Sequence, residues 1–186
     1  MWPSPKNALF LTLSIALAAK LDALTEHPSF AEKETYEAIA TYYKKKAWDN
    51  AVSSCEKALE QYASSLPFYE LCGHVYLHRP GNIDTKKGDY GKAIRLWQKA
   101  LEAYQHNLRS RKALSELHFY LGLAYHFSRN YDMAISWYYE ALRQNDLFSA
   151  AWYNMAACYE AQGNIIEANR AYLRYLRSLR QKEDEF

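Results

Sequence analysis

The sequence predicts an all-α solenoid of four helix-turn-helix units, preceded by a distinct N-terminal segment. Three observations lead there. Tyr42, Tyr125 and Tyr159 are each followed nine residues later by an alanine (Ala51, Ala134, Ala168), and Tyr76 by Ala93 seventeen residues later. Matching positions return 34 residues apart, and a period of that length means stacked helix pairs. Glycine and proline number only 6 and 5 in 186 residues, which favours helices joined by short turns. Such an architecture places function on a surface, not in a catalytic pocket.

The chain opens differently from the way it continues. After Lys6 comes an uncharged run, Ala8 to Ala18, that ends in the small-x-small triplet Ala16-Leu17-Ala18 and is broken by Lys20 and Asp22. The run is shorter than the roughly 18–20 residues a membrane span needs. Residues 1–24 therefore read as a signal-peptide-like segment or as an N-terminal packing helix over about 7–24. If the segment is an export signal, the setting is a periplasm or cell envelope; otherwise it is the cytoplasm. Membrane contact follows only if the segment is retained as an anchor.

Ser29-Phe30-Ala31-Glu32 then matches a capping box, and begins a helix over about 30–46. Unit one spans 32–65, and its second helix is expected over 48–62. Unit two spans 66–114. Its first helix, 66–78, runs into an enlarged loop, 79–88, marked by Pro80-Gly81 and Gly88. Its second helix, 89–108, is expected to run about two turns long before Arg109-Ser110-Arg111-Lys112. Unit three (115–148) has helices over 112–127 and 131–143; unit four (149–182) has them over 147–161 and 164–182. Asp89 and Asn130 stand where N-caps belong. No segment reads as a strand.

Within each unit several positions recur together. The fourth reads Trp152-x2-Met155-Ala156-x2-Tyr159, then Ala168-x3-Tyr172. The third reads His118-x2-Leu121-Gly122-x2-Tyr125, then Ala134-x3-Tyr138 and Ala141. The second reads Tyr69-x2-Cys72-Gly73-x2-Tyr76, then Ala93-x3-Trp97 and Ala100. The first reads Thr35-x2-Ala38-Ile39-x2-Tyr42, then Ala51-x3-Cys55 and Ala58. The large residue, the leucine and the tyrosine share one helix face, and the alanines seven apart share another. Small side chains there are expected to receive rings from the neighbouring helix. Each pair leaves an apolar face uncovered, so the units must stack.

This pattern resembles the tetratricopeptide repeat family, W-x2-L-G-x2-Y followed by A-x3-F, over about residues 32–182. Unit one departs most, with Thr35 and Ile39 in place of the bulky residue and the glycine. No unit carries the terminal proline. The resemblance implies a right-handed solenoid whose first helices line a concave groove. It also implies a non-catalytic scaffold that takes a protein partner, as a peptide segment or helix, on the groove residues Tyr36, Tyr43, Glu70, His74, His78, Phe119, His126, Phe127, Tyr153 and Asn154. Rings suit that task because they supply large contact area at low entropic cost. The carboxylate clamp that relatives use on chaperone tails is missing: of its asparagines only Asn154 has a counterpart.

Other chemistries find little support. Gly88-Asp89-Tyr90-Gly91-Lys92 has the wrong spacing for a phosphate loop, and no nucleophile elbow or zincin motif occurs, so no enzyme is expected. A net charge of +2 is too small for a nucleic-acid binder. His74 and His78, four apart, raise the alternative of a small-ligand or metal-binding accessory with a histidine- and ring-lined groove, needing a third ligand such as His126 or Glu70. No metal and no cofactor is assigned. The three cysteines read as small buried hydrophobes, although Cys55 and Cys72 belong to adjacent units and an exported chain could bridge them. At the C-terminal end Tyr172, Tyr175, Leu176 and Leu179 line an apolar stripe with no capping helix after it, a candidate surface for self-association into a homo-oligomer.

Overall fold

The computed structural model describes residues 29–80, 88–106 and 111–183. They form eight α-helices: α1 (Phe30–Lys44), α2 (Trp48–Gln61), α3 (Leu66–His78), α4 (Tyr90–His106), α5 (Arg111–Phe127), α6 (Tyr131–Gln144), α7 (Ser149–Ala161) and α8 (Ile165–Glu183). No strand occurs among the described residues, and the fold is all-α as the repeat period required. The N-terminal segment 1–24, most of the enlarged loop and Arg109 lie outside the described residues.

Local chemistry sets the helix ends. The Ser29 hydroxyl accepts from the Glu32 amide at 3.2 Å, and the Glu32 carboxylate accepts from the Ser29 amide at 3.0 Å, closing the capping box on α1. Asn130 caps α6 by accepting from the Met133 amide at 3.3 Å, and Asn164 does the same for Glu167 in α8.

One turn is used three times to reverse the chain inside a helix pair. Lys46, Arg129 and Gly163 have positive φ of 56°, 64° and 75°. Behind each, the next amide (Ala47, Asn130, Asn164) donates to the carbonyl of Tyr42, Tyr125 or Tyr159 at 2.9 Å. This is a Schellman closure, and it explains why the tyrosine and the left-handed residue keep a fixed spacing. The second repeat closes the same bond differently. There the Asp89 amide donates to the Tyr76 carbonyl at 3.0 Å, so the loop returns to the point where the short turns finish. Gly88 stands where the others place the left-handed residue. A Cβ on it would run into the Leu77 carbonyl oxygen, which is why glycine is needed.

The chain divides into two compact units that meet in sequence at Asp89 and Tyr90, within that same loop. In the first, α1 packs on α2, α2 on α3, and α1 also reaches α3. In the second, each helix from α4 to α8 packs on the next, and α5 also reaches α7. Neighbour-to-neighbour packing of this kind is how repeat units share a core.

The recurring alanines are the seams. Ala51, Ala58, Ala93, Ala100, Ala134, Ala141 and Ala168 are at most 1 % exposed. Between Ala134 and Ala141 the ring of Tyr138, fully buried, lies so close to α5 that a Cβ on Gly122 would come within 2.5 Å of it. The glycine of the repeat is therefore the seat for a ring of the partner helix. Trp97 fills the corresponding place in α4 and packs on Tyr120 at 5.5 Å between centroids.

α4 is described as far as His106 and α5 begins at Arg111; each has 17 residues, against 14 in α2 and α6 and 13 in α3 and α7, and the expected end of the extended α4 lies outside the described residues. Arg111 and Lys112 thus form the exposed first turn of α5. The cysteines divide. Cys158 is free and buried, but Cys55 and Cys72 form a disulfide between α2 and α3, with Cα atoms 5.6 Å apart. Their positions across one interface bring the two side chains within bonding reach.

Candidate functional site

The ten groove positions fall into two populations. Tyr36, Tyr43, Glu70, His74, Phe119 and Asn154 are buried. His78, His126 and Tyr153 are half-buried, and Phe127 is 37 % exposed. The buried six support the surface; the other four reach it.

In the first unit, the end of α1 meets the end of α3. The Tyr43 hydroxyl lies 2.9 Å from Nδ1 of His78, and the same nitrogen lies 3.0 Å from the His74 carbonyl oxygen. Protonated on Nδ1, His78 donates to that carbonyl; protonated on Nε2, it accepts from Tyr43. The Tyr43 ring also stands edge-on to Trp48 at 5.7 Å and to His78 at 5.8 Å, while the His74 and His78 rings stack at 6.3 Å. Burial lowers the pKa of His78, and the bond to the His74 backbone offsets only part of that shift. Deeper in, Phe68 receives the Tyr36 edge at 5.9 Å and stacks on Tyr62 at 5.2 Å.

In the second unit, the ends of α4, α5 and α6 build a ring cluster around Phe127. Tyr90 stacks on it at 6.2 Å, His126 at 5.9 Å, and Tyr131 meets His126 edge-on at 5.9 Å. Burial pushes Tyr138 well above the usual phenol range, so its hydroxyl stays protonated and can donate to Nδ1 of His126, 3.4 Å away. Burial also lowers His126. A second cluster forms where α7 meets α8: Tyr153 stands between Tyr172 at 5.9 Å and Tyr175 at 5.4 Å. The Tyr172 hydroxyl donates to the Glu160 carboxylate at 2.9 Å. Below these, Phe119 packs on Tyr120, Tyr138 and Phe148 and is a core residue. Asn154 turns back on its own helix, donating to the Ala150 carbonyl at 2.8 Å.

Sequence reasoning passed over several neighbours of these clusters. Tyr90 and Tyr131 sit three before the seam alanines; Tyr90 stacks on Phe127 and Tyr131 meets the His126 beside it. Trp137 stacks on His118 at 5.6 Å, and burial lowers His118 despite the nearby Glu140 carboxylate. On α8, Ile165, Ile166 and Leu173 are exposed beside the Leu176 and Leu179 already singled out. Among the described residues no three histidine, cysteine, aspartate or glutamate side chains come together as a metal site, and no helix is long and apolar enough to cross a membrane.

Stacked helix pairs with an alanine seam and ring-bearing first helices define a repeat scaffold, a class of fold that works through its surfaces. Residues 74–145 match the tetratricopeptide repeat family. Among solved structures it is similar to a crystal structure of MamA, with TM-score 0.68 and 21 % identity over 99 % of this chain and 98 % of that one. It is also similar to MamA 41-end from Desulfovibrio magneticus RS-1, with TM-score 0.68 and 14 % identity over 96 % and 97 %. A third similar structure is MamA MSR-1, with TM-score 0.65 and 19 % identity over 95 % and 98 %. At these identities the likeness bears on the fold alone. No curated protein matches the chain. In general a fold of this kind is a scaffold for protein contacts.

Proposed function

We propose that the chain is a non-catalytic interaction scaffold that receives a partner segment on the groove positions of its second unit. The observation that carries this reading is the partly exposed ring surface of Phe127, His126 and Tyr153, each ring held by neighbours instead of swinging freely. Rings fixed before binding lose little entropy on contact, and they supply the central anchors of most protein interfaces. The partner best suited is an extended or helical segment with apolar side chains at regular spacing. The open face of α8 is a second contact surface, for another copy of the chain. The Cys55–Cys72 bridge supports a setting in an oxidising compartment such as a periplasm or cell envelope, because disulfides seldom persist where thiols are kept reduced.

Quantitative capture of partners from a cell extract tests the groove. Phe127→Ser with Tyr153→Ser removes two anchors, so captured partner should fall by more than tenfold, as loss of anchor residues usually does. Lys99→Ala, an exposed change on α4, is the control and should capture as the wild type does. A capture profile identical for all three proteins rejects the groove.

A further inference from the structure

We propose that the Cys55–Cys72 bridge is a redox latch: the pair α1–α2 stays docked on α3 only while the bond is closed. The inference does not depend on what the groove binds.

It starts from the repeat positions. Cys55 occupies the place of Trp97 in α4 and Tyr138 in α6. Cys72 occupies the place of Leu121 in α5 and Met155 in α7. All six residues are between 0 and 2 % exposed. Two other successive second and first helices therefore present a large ring and a leucine or methionine at these positions, and α2 and α3 present two sulfurs. Packing volume has been exchanged for a covalent bond. Opened, the bridge would leave two small thiols where the other interfaces have a ring and a long aliphatic chain, and an interface that buries less apolar surface is held less strongly.

Other contacts also join α1–α2 to α3, whose apolar residues are buried. The Tyr62 and Tyr36 contacts to Phe68 hold the turn end. The other end has the Tyr43–His78 contact, a 3.4 Å bond from Tyr76 to Glu56, and the exposed Arg79–Asp49 pair at 3.3 Å. Exposed ion pairs add little. The bond spans 17 residues, and closing a loop of that size removes much of the entropy that undocking would gain.

The chemistry needs an external dithiol, as a small molecule or an oxidoreductase. Its thiolate attacks one Sγ of the bridge, the sulfur–sulfur bond breaks, and a mixed disulfide forms. Its second thiol then displaces that sulfur. The reagent leaves as a disulfide, and two electrons and two protons pass to Cys55 and Cys72. Cys158 takes no part. It lies in the second unit, and burial pushes its thiol up to about 12, so it remains protonated.

Hydrogen exchange on the full chain, oxidised and then reduced with dithiothreitol without denaturant, tests the latch. Reduction should lower amide protection in α1 and α2 by about a hundredfold, the effect expected for a loop of this length, and leave α6 and α7 unchanged. The double variant C55Y/C72L restores the ring and the leucine used in the third repeat, and its protection should not respond to dithiothreitol. Equal protection in α1 and α2 of the oxidised and reduced wild type overturns the proposal. So does alkylation of both cysteines, after denaturation alone, in protein prepared under oxidising conditions. If C55Y/C72L does not fold, the wild-type comparison decides by itself.

Discussion

Lys46 and Arg129 hold the left-handed backbone that Gly163 holds in the last repeat. Side chains with a Cβ adopt that region at a cost of roughly 1–2 kcal/mol, and glycine does so freely. Glycine also loosens the unfolded chain, which returns part of the gain. We therefore expect Lys46→Gly and Arg129→Gly each to raise stability by about 0.5–1 kcal/mol in urea denaturation, as substitutions at this cap position allow. Unchanged or lowered midpoints would show that the side chains contribute contacts the turn depends on. Gly122 poses the opposite case. A methyl group there meets the buried Tyr138 ring, which has no room to retreat, so Gly122→Ala should cost about 1–3 kcal/mol, as overpacking does. Paired with Tyr138→Leu, the alanine should cost markedly less than it does alone. Additive costs in that double-mutant cycle would mean that glycine and ring do not meet.

At the scale of elements, three histidines tie helix packing to pH. Burial lowers His78 on α3 and both His118 and His126 on α5 from the ordinary value of 6.5. The folded chain thus keeps them neutral where the unfolded chain would protonate them. Below about pH 6.5 the unfolded state binds more protons, so stability is complete above that pH and falls as the pH drops through the lowered folded values. Urea midpoints should decline between pH 7 and pH 5, and His78→Gln with His118→Gln and His126→Gln should flatten the decline. An equal slope in the triple variant would assign the acid sensitivity to carboxylates. The helices themselves were legible because period, capping residues and seam alanines all act within a few residues of one another. The exposure of the groove residues was not. Tyr36, Phe119 and Asn154 occupy the same repeat faces as Phe127 and Tyr153, and only packing between helices decides which of them reaches solvent. The bridge was legible only as an option: Cys55 and Cys72 belong to adjacent units, yet each also reads as a small core residue, and only the packing of α2 on α3 decides between the two. The closure of the enlarged loop on Tyr76 rests on a backbone amide, which leaves no mark in side-chain pattern.

At the scale of the molecule, α8 is the described helix that leaves the most apolar side chains open to solvent. In α4 and α6 the leucines Leu101 and Leu142 are each 6 % exposed; the equivalent Leu176 of α8 is 49 % exposed. Leu173 at 67 % and Leu179 at 38 % continue the open stripe. Tyr175 takes the place of the seam alanines Ala58, Ala100 and Ala141, so a further helix could not approach as closely as α7 approaches α6. A contact at this end must be looser than the internal ones, which favours reversible association over a permanent fifth pair. Burying three leucines of this kind on both sides is worth a few kcal/mol before the entropy of association is subtracted, by the usual area rule. Arg174, Arg177 and Arg180 lie on the same helix, and a second copy brings its own arginines towards them, so added salt should strengthen the contact. We expect the mass from light scattering to rise with protein concentration, more steeply at high salt, and to stay at the monomer value for Leu176→Glu with Leu179→Glu. A wild-type protein that remains a monodisperse monomer at high concentration and high salt, indistinguishable from the double variant, would show that α8 tolerates water and that this end of the array is not an interface between copies.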